Sequence, residues 1–132
     1  MILVDTSIWI ELLARRIEPP SELELLFVTC GPIVQEVLQG LGPGTTSITV
    51  RESLLALPRL SDPLPWHLFP EAALIYSEGR RRGVTIRYSY DCLIAAIAIE
   101  NDASIWHRDR DFAAISQYTR LRQVSLGTER VN

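Results

Sequence analysis

The chain has 132 residues, of which 47% are hydrophobic and 22% are charged, and its formal net charge is −3 at pH 7. This composition excludes a disordered chain and predicts one globular domain over residues 1–132. No apolar run approaches the ~20 residues that span a bilayer, and no signal peptide is recognisable. We therefore predict a cytoplasmic protein without membrane contact, in which Cys30 and Cys92 are reduced core thiols.

The spacing of apolar residues predicts strands that alternate with helices. A short strand near Trp66 is also considered, within a connection rich in proline. The other predicted elements are strand 2–4, a helix from Thr6 or Ser7, a short helix from 21, strand 27–29, helix 31–40, helix 51–57, helix 71–82, helix 90–100, strand 104–107 and strand 124–126. This alternation predicts an α/β fold with a mainly parallel sheet, in which sites form at the carboxyl ends of strands.

Four carboxylates at the ends or flanks of these elements are candidates for a shared site: Asp5, Glu36, Asp91 and Asp109. Asp5 and Asp109 follow predicted strands, and Asp91 opens a largely apolar helix. Carboxylates held close together repel one another unless a cation neutralises them, and Mg²⁺ commonly does so. The pattern therefore predicts metal-assisted cleavage of phosphodiester bonds.

Each carboxylate also has an ordinary structural interpretation. Asp5 could cap the first helix, and Asp91 could complement the dipole of its helix. Glu36 could lie on a solvated helix flank, and Asp109 could pair with a flanking arginine. The joint placement of the four is what favours a common site.

Other chemistries have less support. His67 and His107 belong to no cluster with zinc-ligand spacing, and the chain has no glycine-rich phosphate loop and no nucleophile elbow. A phosphatase that uses Asp5 as nucleophile would need a second nearby aspartate or a lysine, and the chain has no lysine.

All thirteen basic residues are arginines, and Arg80, Arg81 and Arg82 are consecutive. Arginine binds phosphate through two parallel hydrogen bonds, so these three are candidates for contacts with a nucleic-acid backbone. A solvated helix end would look the same, and a GC-rich genome would also favour arginine over lysine.

Four segments occur in an order that resembles the PIN-domain family, and within it the VapC-like toxin ribonucleases. The segments are MILVDTS at 1–7, VQEVLQG at 34–40, YDCLIAA at 90–96 and HRDRDF at 107–112. The resemblance extends from Met1 to about Leu126. It implies a three-layer α/β/α sandwich on a parallel sheet.

The resemblance also implies roles for individual residues. Asp5, Asp91 and Asp109 would hold Mg²⁺ or Mn²⁺, and Glu36 would orient the attacking water. The accessory candidates are Thr6, Ser7 and Asp111. The implied activity is a metal-dependent endoribonuclease, the toxin of a VapBC-type toxin–antitoxin pair.

The partners implied by the resemblance are an RNA substrate, a VapB-like antitoxin that can place an arginine in the acidic site, and a second copy of the chain. Apolar residues of the first helices could serve either protein interface or form ordinary core. They are Ile8, Trp9, Leu12, Leu13, Leu25 and Leu26. The alternative function is a non-catalytic PIN-like module whose acidic pocket binds a basic segment of a partner.

Overall fold

The computed structural model describes residues 1–126 and 129–130. Its elements alternate between strands and helices over most of the chain. In chain order they are β1 (Ile2–Val4), α1 (Thr6–Leu13), β2 (Ile17–Glu18), a 3-10 helix (Ser21–Leu26), β3 (Phe27–Cys30), α2 (Gly31–Gln39), α3 (Thr45–Ala56), β4 (Arg59–Leu60), α4 (Leu68–Arg81), α5 (Ser89–Glu100), β5 (Ser104–Trp106), α6 (Arg110–Ser116), β6 (Arg122–Val124) and β7 (Glu129–Arg130).

The central sheet has five strands in the order β4-β3-β1-β5-β6, and all of its neighbouring strands are parallel. The middle strand β1 is buried along its whole length, which explains why it is purely aliphatic. Leu3 pairs with Val28 of β3 on one side and with Ile105 of β5 on the other. A separate two-stranded antiparallel sheet joins β2 to β7.

The helices pack around this sheet and around one another. Helices α1, α2 and α3 contact one another, and α5 contacts α2, α4 and α6. Helix α5 is apolar on nearly all sides because it is enclosed in this way. The buried hydrophobic residues form one continuous core. The predicted α/β/α architecture on a parallel sheet is confirmed, and the assignment of 1–132 to one domain stays a prediction.

Several element boundaries differ from those predicted. Helix α3 begins at Thr45 rather than at residue 51, after Gly44, whose φ of 121° suits glycine. Helix α4 begins at Leu68 because Pro70 falls in its first turn, where proline is tolerated. The strand considered near Trp66 is wrong, since that residue lies in an exposed turn and β4 lies earlier. The last strand of the central sheet ends at Val124 rather than at residue 126.

Cys30 and Cys92 are buried and unpaired in the described part of the chain, as predicted. Burial raises the pKa of the Cys30 thiol to about 12 and that of Cys92 to about 11. Among the described residues, no helix is both long and apolar enough to cross a membrane.

Gly79 marks a close approach between α4 and the segment after α6. A Cβ at this buried position would lie 2.6 Å from the Tyr118 hydroxyl oxygen. Tyr118 cannot move freely, because its hydroxyl donates to the Ile75 carbonyl at 2.9 Å and its ring lies 5.7 Å from the Arg82 guanidinium. Glycine is therefore required here by packing.

We expect Gly79→Ala to lower the free energy of unfolding by roughly 1–3 kcal/mol, because the added methyl forces Tyr118 from its place. Urea unfolding at constant pH measures the change. Gly42→Ala is the matched control, since no atom lies within 4 Å of a Cβ there. Equal stabilities for the two variants would contradict the proposed close packing.

Candidate active site

Three carboxylates meet at the carboxyl edge of the central sheet. One oxygen each of Asp91, Asp109 and Asp111 lies within 4.8 Å of the other two. Asp109 comes shortly after β5 and caps the amino end of α6, whereas Asp91 lies in the first turn of α5. Asp91 and Asp111 are only 5% and 2% exposed. The fold thus brings together two of the four predicted carboxylates and one accessory candidate.

Asp5 lies beside this cluster and is held in place by Ser7. It follows β1 directly, and its Oδ2 accepts hydrogen bonds from the Ser7 backbone N–H at 3.1 Å and from the Ser7 hydroxyl at 2.6 Å. Its own N–H donates to the Trp106 carbonyl at the end of β5. The charge of Asp5 contributes to raising the pKa of Asp91, so the two carboxylates share one electrostatic environment.

Glu36 reaches the same region from α2. It is half-buried, and its charge contributes to raising the pKa of Asp5 and that of the Tyr90 hydroxyl. The Tyr90 hydroxyl donates to the Pro32 carbonyl at 3.0 Å, which ties α5 to the first turn of α2. Glu36 therefore lies within electrostatic range of Asp5.

The two hydroxyl candidates have different surroundings. The Ser7 oxygen donates to Asp5 and accepts from the Arg108 N–H at 3.0 Å, so it links the segments that follow β1 and β5. Thr6 Oγ1 is buried and has no hydrogen-bond partner among the described residues. Ser7 is thus the hydroxyl that orders the site.

Asp111 is more central than its accessory status in the sequence analysis suggested. Its backbone N–H donates to Asp109 Oδ1 at 2.8 Å, and its Oδ2 accepts from the Arg87 N–H at 3.1 Å. Asp109 and Asp111 are therefore locked together at the start of α6.

Sequence analysis missed Arg87, whose guanidinium reaches the cluster. Its Nη2 lies 3.1 Å from Asp109 Oδ1, and its Nε lies 3.6 Å from Asp111 Oδ1. Arg87 precedes Asp91 by four residues, just before α5 begins. Its spacing from Asp91 gave no signal for this contact, because the partners of Arg87 are Asp109 and Asp111, 22 and 24 positions away.

The electrostatics of the cluster are dominated by burial. Burial raises the pKa of Asp91 to about 8, and proximity to Asp111 and the charges of Asp109 and Asp5 add to the effect. Burial also raises the pKa of Asp5, while hydrogen bonds from Ser7 oppose the rise. Asp91 Oδ2 is buried without a hydrogen-bond partner in the described part of the chain. Clustered carboxylate oxygens with an unsatisfied member fit a hard divalent cation.

The arginines at the end of α4 and the two histidines do not belong to the carboxylate cluster. Arg81 and Arg82 both pair with Glu78 on their own helix, so the solvated helix end explains them, and their contact with RNA stays a prediction. His107 accepts the Asp109 N–H through Nδ1 at 3.0 Å and thereby supports the segment after β5. His67 pairs with Glu100 on the exposed surface.

Comparison with known proteins identifies similar sequences and structures. A profile of the PIN domain matches residues 2–118. Ribonuclease VapC11 of Mycobacterium tuberculosis is 39% identical, with 96% of this chain and 99% of that protein covered. VapBC-1 from nontypeable Haemophilus influenzae has a TM-score of 0.66 at 18% identity, covering 94% of this chain and 97% of that one. VapBC-5 from Mycobacterium tuberculosis has a TM-score of 0.66 at 19% identity, covering 92% and 97%. The two solved structures share the fold.

The raised pKa of Asp91 predicts how stability depends on pH in EDTA. The folded protein keeps a proton on Asp91 up to about pH 8, whereas the unfolded chain releases it near pH 4. The melting temperature should therefore fall as the pH rises from about 5 to 8. Asp91→Asn should remove most of that fall and be more stable than the wild type at pH 8, by roughly 2 kcal/mol.

Thermal unfolding of both proteins in EDTA across this pH range tests the expectation. Asp102→Asn is the matched control, because Asp102 is exposed and pairs with Arg122 at the opposite edge of the sheet. A large loss of stability in Asp91→Asn at pH 8 would instead show that the Asp91 carboxylate stabilises the amino end of α5.

Proposed function

The chain belongs to the PIN-domain family, and we propose that it is a metal-dependent endoribonuclease, the toxin of a VapBC-type toxin–antitoxin pair. The observation that carries the proposal is that carboxylate oxygens of Asp91, Asp109 and Asp111 lie within 4.8 Å of one another, beside Asp5. The likeness to ribonuclease VapC11 over nearly the whole chain supports RNA as the substrate. Location in the cytoplasm belongs to the same proposal, since two unpaired, buried thiols suit a reducing compartment.

We assign Asp5, Asp91 and Asp109 as the residues that hold Mg²⁺ or Mn²⁺, with Asp111 keeping Asp109 in place. The donor set supports this assignment, because all three groups are carboxylates and Asp91 Oδ2 is unsatisfied among the described residues. When bound, such an ion lowers the pKa of the attacking water and stabilises negative charge on the phosphate.

The other residues prepare the site. Glu36 is half-buried on the Asp5 side, where its carboxylate can orient the attacking water and accept a proton from it. Ser7 donates to Asp5 and so favours its ionised form, which a cation requires. Asp91 must release its proton before it can bind a cation, so affinity for metal should rise as the pH approaches about 8.

For the antitoxin we propose a face beside Glu36. A cavity of about 120 Å³ lies between α1, α2 and α3, and Glu36 lies at its edge. Its lining residues are Thr6, Trp9, Ile10, Leu13, Glu36, Val37, Gly40, Leu41 and Val50. A partner that fills this cavity could extend a basic side chain toward the carboxylates. VapBC-5, one of the structural neighbours, belongs to a family of toxin–antitoxin systems.

The apolar residues named earlier for interfaces divide between core and surface. Ile8 and Trp9 are core, and Leu12 and Leu13 are partly buried. Leu25 and Leu26 are exposed on the 3-10 helix, whereas Trp9 and Leu13 line the cavity proposed for the antitoxin. A partner could contact these four members of the set.

For the second copy of the chain we propose the face formed by α4 and α5. Trp66 is 80% exposed and its ring lies 5.7 Å from that of Phe69, which is also exposed. Phe69 borders a groove of about 440 Å³ that is lined mainly by α4 and α5 and includes Tyr76 and Leu93. A dimer through this face covers large apolar side chains and leaves the Glu36 cavity available.

The first experiment is cleavage of pooled bacterial RNA, rich in tRNA and ribosomal RNA, by the protein without antitoxin. Discrete cuts are expected with Mg²⁺ or Mn²⁺ and none in EDTA. Asp91→Asn should be slower by about a hundredfold or more, because a metal ligand is lost. Asp102→Asn, at the opposite edge of the sheet, should keep the wild-type rate.

Equal cleavage by the wild type and Asp91→Asn would identify a contaminating nuclease and count against the proposal. Absence of cleavage together with absence of metal binding would favour the non-catalytic module, with the acidic pocket serving a partner's basic segment.

The dimer face is tested by Phe69→Asp, which should shift the protein from dimer to monomer in size-exclusion chromatography with light scattering. A charge buried at an apolar interface opposes association. Leu25→Asp is the matched control, since Leu25 is 93% exposed on the 3-10 helix, and it should stay dimeric. Loss of the dimer in Leu25→Asp alone would move the interface to that helix.

A further inference from the structure

Arg87 brings a positive charge from within the chain to the carboxylate cluster. Its guanidinium lies 3.1 Å from Asp109 Oδ1 and 3.6 Å from Asp111 Oδ1. Its backbone N–H donates to Asp111 Oδ2 at 3.1 Å, so the residue is anchored at two points. The guanidinium also lies 5.6 Å from the ring of Tyr88, which restricts where it can go. Arg87 therefore lies against both carboxylates in this structure.

The Arg87 guanidinium reduces repulsion between the clustered carboxylates. Asp91, Asp109 and Asp111 present oxygens within 4.8 Å of one another, and Asp5 lies nearby. Without a cation this arrangement is repulsive, and burial of Asp91 and Asp111 limits screening by water. A guanidinium that touches two of the carboxylates removes part of that repulsion. Its half-exposed position lets it turn toward solvent when another cation arrives.

We infer that Arg87 is an internal counter-ion that competes with a divalent metal for the charge of the Asp109 and Asp111 carboxylates. The inference rests on the metal site of the proposed function. It adds that the affinity for metal is set partly by a residue that is not a ligand. Arg87 holds the carboxylates together before metal binds, and it weakens binding because two cations beside the same carboxylates repel each other.

The test compares Mn²⁺ binding by the wild type, Arg87→Gln and Arg87→Lys, with free Mn²⁺ measured by electron paramagnetic resonance. Arg87→Gln should bind Mn²⁺ tighter by about fivefold or more. Arg87→Lys keeps the charge and should stay closer to the wild type. Arg122→Gln is the matched control, because Arg122 pairs with Asp102 at 2.9 Å at the opposite edge of the sheet, and its affinity should be unchanged.

A second readout follows thermal unfolding. In EDTA, Arg87→Gln should melt at a lower temperature than the wild type, and saturating Mn²⁺ should close most of the gap. If Arg87→Gln folds only with Mn²⁺, the metal has replaced the missing counter-ion, which supports the inference. Failure to fold even with Mn²⁺ would overturn it.

Unchanged or weaker Mn²⁺ binding by Arg87→Gln would also overturn the inference, because Arg87 would then position the carboxylates without competing. Metal-dependent RNA cleavage by the wild type is measured separately. The counter-ion role can therefore fail while the nuclease stands, and a failed nuclease assay leaves the Mn²⁺ comparison intact.

Discussion

Carboxyl groups buried side by side at the carboxyl edge of a parallel sheet are the constraint on which this site depends. Asp5, Asp91 and Asp111 are all nearly excluded from water. Three features of the fold oppose their repulsion. The amino ends of α1, α5 and α6 carry these carboxylates or their neighbours, so that helix dipoles favour negative charge there. Ser7 donates to Asp5, and the Arg87 guanidinium contacts Asp109 and Asp111.

The strand order explains why distant residues share this edge. Strand β1 lies between β3 and β5, so the segment that starts at Asp5 emerges beside the one that contains Asp109. Helix α2 begins directly after β3 and brings Glu36 within electrostatic range of Asp5. The segments that follow the three neighbouring parallel strands β3, β1 and β5 therefore lie at the same edge of the sheet, as is general for such sheets.

The predictable parts of the fold and site were those with a local signal. The aliphatic run before Asp5 and the apolar helix after Asp91 identified β1 and α5 correctly, since burial on all sides leaves a clear pattern. Strand β4 has only two residues and no such pattern. The contacts of Arg87 with Asp109 and Asp111 join residues separated by 22 and 24 positions, so only the folded chain brings them together. For the same reason the central place of Asp111 was not visible in the sequence.

The two buried cysteines provide built-in reporters of local opening. Cys92 follows Asp91 directly, and Cys30 ends β3 next to the helix that carries Glu36. Both thiols are enclosed and have raised pKa values, so neither reacts with an alkylating reagent while the surrounding structure is closed. Their labelling rates therefore measure how often each side of the acidic edge opens, and they do so without any change to the sequence.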